Sequence, residues 1–276
     1  MSQLIQLKHR IKAIAAIKKI TQTMRLISMS SHSKLKKQSD AMQHLKNEVK
    51  PLLCAIAQKH KPEKQIATYK TLYIVFAAEK GLCGTFNNTM YAYFNKHLTS
   101  QNLQNSHVIS IGKKATTYLE QKNIQPLMQF DKVLPNKLES IANDLYEKVL
   151  ELHKDYEEVV CFYSYPKTFF LQEAQSTTIV PINPDPCETK DQLNLDLYEW
   201  PQSVEEVAHS LFHTLLKMNI LLILTNSMLS EQSARFLSMD NATRSADNLQ
   251  KSMKLSFNKM RQAKITRELI ELISSF

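Results

Sequence analysis

Few residues of this 276-residue chain stand in patterns that could do chemistry. The best placed are Gly81-Leu82-Cys83-Gly84-Thr85-Phe86-Asn87, between a predicted strand and a predicted helix. A nucleotide-binding turn would lie there, but neither GxGxxG nor the GxxxxGK pattern of a phosphate loop is present, so the segment reads as a tight connection. Ile111-Gly112-Lys113-Lys114 holds a Gly-Lys pair with no glycine four or five residues upstream, which excludes a phosphate loop there too. His209 and His213 are four apart on a predicted helix, a spacing that can hold zinc. The HExxH motif would need Glu where Ser210 stands, so the pair reads as an ordinary helix face. Cys54, Cys83, Cys161 and Cys187 form no CxxC and read as free thiols in a reducing compartment. No Ser/His/Asp or Cys/His set can be defended from spacing. The expectation is a chain with no catalytic residue, cofactor or metal of its own.

The elements around these residues divide the chain in three. The 3 glycines are far fewer than the roughly 7 % usual in proteins, which disfavours turn-rich β folds. All three glycines and all 9 prolines fall between Pro51 and Pro201. Two long stretches free of helix breakers therefore flank a broken-up middle. In the first, Leu4, Leu7, Ile11, Ile14, Ile17, Ile20, Met24 and Ile27 recur at steps of three and four, the mark of an apolar helical stripe. In the last, Ser203 and Glu206 read as a capping box. Met239, Ala242, Ala246, Leu249, Met253, Met260, Ala263 and Ile270 then follow a heptad-like pattern. Each rod needs a partner, so the two ends are expected to form an antiparallel coiled coil, with small Ala at three seam positions.

The middle alternates. Residues 71–78, 108–111 and 159–163 read as strands; 88–97, 113–122 and 137–153 read as helices. Strands alternating with helices imply a largely parallel, Rossmann-like α/β layer. The predicted fold is a long antiparallel coiled coil of N- and C-terminal helices plus a central Rossmann-like α/β domain. Its predicted parts are a helix over 1–60, a base domain over 68–200 and a helix over 203–276. No membrane span is expected: the best candidate, Ile220 to Leu224, has five consecutive apolar residues where about 20 are needed. The first residues, MSQLIQLKHRIK, do not read as a signal peptide.

The formal charge of +9 invites acidic partners. Lys and Arg on the first helix could meet phosphates, but residues 1–50 contain no Phe, Trp or Tyr for base stacking.

Two C-terminal segments carry a specific resemblance. Residues 230–242 read SEQSARFLSMDNA and residues 258–272 read NKMRQAKITRELIEL. They resemble the SEQ-x-AR and NKxRQAxITxEL motifs of the gamma subunit of the rotary F-type ATP synthase. Arg10-Ile11, Lys19-Ile20-Thr21 with Met24, Gly81-Leu82-Cys83-Gly84 with Phe86-Asn87, and Ile111-Gly112-Lys113-Lys114 are collinear supporting matches. The chain departs from the family at Thr85, Glu79-Lys80 and Ala16-Ile17, and needs an insertion of about three residues after Ile27 to align Ser33-Lys34-Leu35.

The resemblance implies a non-catalytic central-stalk rotor of a proton-translocating enzyme. Its shaft would sit in a hexamer of three alpha and three beta subunits, and its base would bind the epsilon subunit and the membrane c-ring. It would be peripheral, on the cytoplasmic face of a bacterial inner membrane, and touch the membrane only through the c-ring. By the same resemblance, Glu231, Arg235, Gln262 and Thr266, with Arg261 as a fifth, contact loops of the beta subunits; Gly81 and Gly84 are structural. Two other readings stand beside it: a gamma-like rotor of a specialised ATPase, and a basic coiled-coil nucleic-acid-binding protein.

Overall fold

The computed structural model describes residues 2–59, 69–98, 106–181 and 203–275. The chain divides into two compact units, one of residues 1–30 and 235–276, the other of residues 31–234. Two long helices contribute to both: α1, Ser2–Lys59, and α5, Val204–Ser274. The predicted cap is present, for the hydroxyl of Ser203 accepts the Glu206 amide at 3.3 Å. Helix α1 runs on through Pro51, which supplies no amide hydrogen to the ladder.

In the first unit, α1 and α5 pair antiparallel. Lys18 meets Asp247 and Arg25 meets Asp240, so numbers rise on one helix as they fall on the other. The inward residues of α1 are Leu4, Leu7, Ile11, Ile14, Lys18, Thr21, Arg25 and Ser28, all buried or half-buried, in unbroken steps of three and four. On α5 they are Met239, Thr243, Ala246, Gln250, Met253, Phe257, Met260 and Lys264. This corrects the predicted seam. Ile17, Ile20 and Ile27 are 52–60 % exposed, and Leu249, Ala263 and Ile270 also face solvent, so of the three seam alanines Ala246 is buried, Ala242 half-buried and Ala263 exposed. Apolar content alone selected the stripe. The strict heptad instead turns polar residues inward, where they pair across the seam.

The second unit is built on a five-stranded sheet of order β3-β2-β1-β4-β5. Its strands are β1 (Tyr69–Phe76), β2 (Ser106–Ile111), β3 (Met128–Phe130), β4 (Tyr156–Pro166) and β5 (Gln172–Val180). The first four are parallel; β5 runs antiparallel to β4. Between them lie α2 (Phe86–His97), α3 (Lys113–Gln121) and α4 (Leu138–Leu152). Alternation along β1 separates two cores. Leu72, Ile74 and Phe76 pack with Leu145 of α4 and with Ile220 and Leu224 of α5, whereas Tyr73 and Val75 pack with Met90 and Phe94 of α2 and Leu119 of α3. The fold class is as predicted; β3 and β5 are additions, one too short and one too polar to announce itself.

An 18-residue window of α5 has a mean hydropathy of 1.5, so by length and composition this helix could cross a membrane, contrary to the expectation from sequence. Its apolar side chains have another destination, since Leu216, Ile220, Ile223 and Leu224 are buried in the same core as the sheet. A core helix covering a sheet meets the same hydropathy test as a membrane span.

Candidate functional site

The two glycine-bearing turns come first, because a nucleotide would have to sit there. Gly112 has φ +89°, and a Cβ on it would lie 2.2 Å from the carbonyl oxygen of Ala77. Only glycine fits, and the reason is backbone packing: its amide bonds Phe130 O at 2.8 Å, and the Ala77 amide bonds Ile111 O at 2.9 Å. Gly84 has φ +59°, but a Cβ on Gly81 would meet nothing within 4 Å. Of the two glycines expected to be structural, Gly84 thus has a conformational reason and Gly81 shows no steric one. Asn87 ties this turn down: its Oδ1 accepts the Ala78 amide at 3.0 Å and its Nδ2 lies 3.5 Å from the buried Cys83 Sγ. The turn's own side chains take up its polar groups.

The five residues singled out from the C-terminal motifs all lie on α5, in two environments. Glu231, in the second unit, is 2 % exposed, and Arg235, in the first, is 9 % exposed. Arg261, Gln262 and Thr266 are exposed. Gln262 and Thr266 are one turn apart and present a shared polar face. Arg235 and Arg261 are separated by about 39 Å of helix, at 1.5 Å per residue. The set is therefore a buried pair and an exposed trio.

Sequence reasoning missed the polar seam of the first unit. Lys18 Nζ lies 2.5 Å from Asp247 Oδ1 and Arg25 Nη1 lies 2.6 Å from Asp240 Oδ1. Each carboxylate takes a second cation from its own helix, Lys251 at 2.8 Å for Asp247 and Arg244 at 2.9 Å for Asp240. Between the two clusters, the Thr21 and Thr243 hydroxyl oxygens are 2.8 Å apart and buried. The bond from Lys18, seconded by Lys251, holds the Asp247 carboxyl down to about 2, and Arg25 lowers Asp240 in the same way. The available signal was weak: Asp240 and Asp247 are a heptad apart, facing Arg25 and Lys18, which are also a heptad apart.

Charge and apolar surface concentrate in this unit. It holds 14 Lys and Arg against 4 Asp and Glu, a formal +10, and residues 31–234 hold the other 21 against 22. Extending the pairing of Lys18 with Asp247 puts Ser2 opposite Ala263. Beyond that point no described residue of α1 lies opposite α5, and Ile265, Leu269, Ile270, Leu272 and Ile273 are 47–76 % exposed. A coiled-coil strand that outruns its mate with its apolar residues uncovered offers them to another surface.

The comparisons with known proteins agree with this architecture. The family model described as ATP synthase matches residues 3–276. The ATP synthase gamma chain of Clostridium novyi is 31 % identical over 279 residues, spanning 98 % of this chain and 96 % of that one. That of Mycoplasmopsis pulmonis is 30 % identical over 283 residues, spanning 99 % of both. Among solved structures, a chain of the Euglena gracilis mitochondrial ATP synthase (OSCP/F1/c-ring, rotational state 3) shares the fold with a TM-score of 0.69 at 16 % identity, over 99 % of this chain and 93 % of that one. A chain of the rotor of the same enzyme in rotational state 1 aligns with a TM-score of 0.65 at 14 % identity, over 96 % and 99 %. With a family model matched from end to end and relatives at this identity over their whole length, the chain belongs to the ATP synthase gamma chain family.

Proposed function

We propose that this chain is the central-stalk rotor subunit of a proton-translocating F-type ATP synthase, carrying torque between a membrane c-ring and a catalytic hexamer of alpha and beta subunits. It would catalyse nothing itself; within the helices of residues 1–60 and 203–276, the paired segments 1–30 and 235–276 would serve as the shaft, and residues 68–200, with the helix segments packed on their sheet, as the base. Besides family membership, the observation that carries the reading is the exposed apolar set near the end of α5, Ile265, Leu269, Ile270, Leu272 and Ile273, which no described residue of α1 covers. A cavity in a surrounding hexamer would cover that end.

The physics suits a shaft. Basic side chains on a rod attract acidic loops without a deep lock, so the rod can turn from one beta subunit to the next. A shaft changes nucleotide affinity only if it touches the three beta subunits unequally, since equal contacts shift no equilibrium. Arg261, Gln262 and Thr266, exposed on α5, would make such contacts. Glu231 and Arg235 would contribute lower on the helix, where their burial makes their roles structural as well. The base would bind the epsilon subunit and the c-ring, and hold the chain at the cytoplasmic face of a bacterial inner membrane without entering it.

Co-purification from the native cell tests this. Recovery of alpha, beta, epsilon and c subunits with ATP hydrolysis is the expected result. Alpha- and beta-like subunits without epsilon or c would point to a specialised motor, and nucleic acid alone would overturn the reading.

A further inference from the structure

Each of the two carboxylates in the seam of the first unit is bonded to cations on both helices. Asp247 takes Lys18 of α1 at 2.5 Å and Lys251 of its own helix at 2.8 Å; Asp240 takes Arg25 of α1 at 2.6 Å and Arg244 of its own helix at 2.9 Å. Arg25 stands five residues from residue 30 and Asp240 five from residue 235, the points at which α1 and α5 leave this unit. Farther along, toward the end of α5, the inward residues are Leu7, Ile11 and Ile14 on α1 and Met253, Phe257 and Met260 on α5. Apolar burial has no direction and methionine is adaptable, so that stretch holds the helices together without fixing which way each face turns. We propose that Lys18, Arg25, Asp240 and Asp247 are positioning residues of the shaft: they keep α5 from rolling or sliding on α1, and so fix the direction in which Arg261, Gln262 and Thr266 face the beta subunits. This role rests on the rotor function proposed above.

The geometry suits that role. Charge-assisted hydrogen bonds are short and directional, so a roll of either helix carries Lys18 off Asp247 and Arg25 off Asp240. The bonds from Lys251 and Arg244 tie each carboxylate to its own helix, which presents it to α1 in one orientation. A single pair across the seam could act as a pivot; two pairs one heptad apart resist tilting as well as sliding. Between them the Thr21 and Thr243 oxygens lie 2.8 Å apart, each bonded to a carbonyl of its own helix, so the two backbones are held close at that point too. Gln262 is 15 residues beyond Asp247, about 22 Å along a continuous helix. Any roll of α5 at the seam therefore turns Gln262 and Thr266 with it. Unequal contact with three beta subunits depends on where that face points.

Proton pumping and ATP hydrolysis by the assembled complex in vesicles test this, alongside melting of the full-length chain. A quadruple variant, Lys18→Leu, Arg25→Leu, Asp240→Leu and Asp247→Leu, replaces both cross-seam pairs by aliphatic ones. Well-packed apolar residues in place of an ion pair often leave stability unchanged or raised, so this chain is expected to melt at or above the wild type. In the complex, the protons pumped per ATP hydrolysed are expected to fall about twofold or more, because a displaced contact group loses much of its effect. Lys18→Arg, which keeps the charge across the seam, should pump as the wild type does. Asp247→Asn should lower the ratio in the same direction, and decides the matter if the quadruple variant does not assemble. A wild-type ratio in the quadruple variant, or in Asp247→Asn where the former does not assemble, would overturn the proposal. Pumping and melting that fall together in the quadruple variant would overturn it too, since the pairs would then hold the shaft folded rather than aim it. A wild-type complex that hydrolyses ATP but pumps no protons would instead refute the rotor reading, and the positioning role with it.

Discussion

The ammonium of Lys18 lies 2.5 Å from the carboxylate of Asp247, across a seam where a coiled coil would ordinarily bury two aliphatic side chains. The seam of the first unit thus owes part of its specificity to charge. A one-heptad slip would keep only one pair across the seam, Lys18 with Asp240 or Arg25 with Asp247 depending on its direction, and leave the other cation and carboxylate without a partner there.

Acid should weaken this pairing in a defined window. The Asp247 carboxyl sits at about 2 in the folded chain, against about 3.9 for an unfolded aspartate. A depressed native value means the stabilisation is fully present above about pH 4 and is lost as pH falls toward 2. Thermal midpoints between pH 5 and pH 2 should fall for the wild type and change less for Asp247→Asn, which has no carboxyl to titrate. Parallel curves for the two proteins would remove Asp247 from the account.

The buried hydroxyls of Thr21 and Thr243 make a double-mutant test. Thr21→Val or Thr243→Val alone removes the contact between the hydroxyls but leaves the survivor bonded to a carbonyl of its own helix, Lys18 O at 3.0 Å for Thr21 and Met239 O at 2.7 Å for Thr243, so each should cost about 1 kcal/mol. Replacing both should cost less than the sum of the two, because the shared contact can be lost only once. Urea midpoints of the four proteins measure the coupling, and strict additivity would mean that the 2.8 Å approach contributes nothing.

Gly112→Ala should be among the most damaging single changes available. The new methyl would stand 2.2 Å from Ala77 O, at a φ of +89° that side chains rarely adopt. A loss of about 3 kcal/mol or more is expected, read as a lowered melting temperature or insoluble expression. Gly81→Ala, with open space around it, serves as the control and should be nearly silent.

The exposed trio and the buried pair should separate in function. Gln262→Leu with Thr266→Val alters only exposed side chains, so it should lower ATP hydrolysis by the assembled complex while the chain itself melts as before. Arg235→Ala should lower the melting temperature of the chain as well, since that residue is buried. Unchanged turnover in a fully assembled Gln262/Thr266 double mutant would remove those two from the torque contacts.

Much of this protein was legible before any coordinates. Two stretches free of Gly and Pro announced two long helices, because nothing in them interrupts the ladder, and Ser203 with Glu206 marked where the second begins. Apolar runs such as residues 71–78 announced the sheet, and the SEQSAR and RQAKIT segments pointed to the family. Local patterns of this kind are written in neighbouring residues, so one sequence suffices to read them.

What tertiary structure alone decided is which face of each helix turns inward. Ile17, Ile20 and Ile27 satisfied the apolar pattern yet lie outside, while Lys18, Thr21 and Arg25 lie inside because Asp247, Thr243 and Asp240 come to meet them from more than 200 residues away. The same holds for β5, whose half-polar sequence becomes a strand only when β4 supplies its hydrogen bonds, and for His213, whose ring meets the hydroxyl of Tyr146 on another helix. A polar group can be buried only where a partner satisfies it, and that partner is fixed by the fold rather than by its neighbours in the chain.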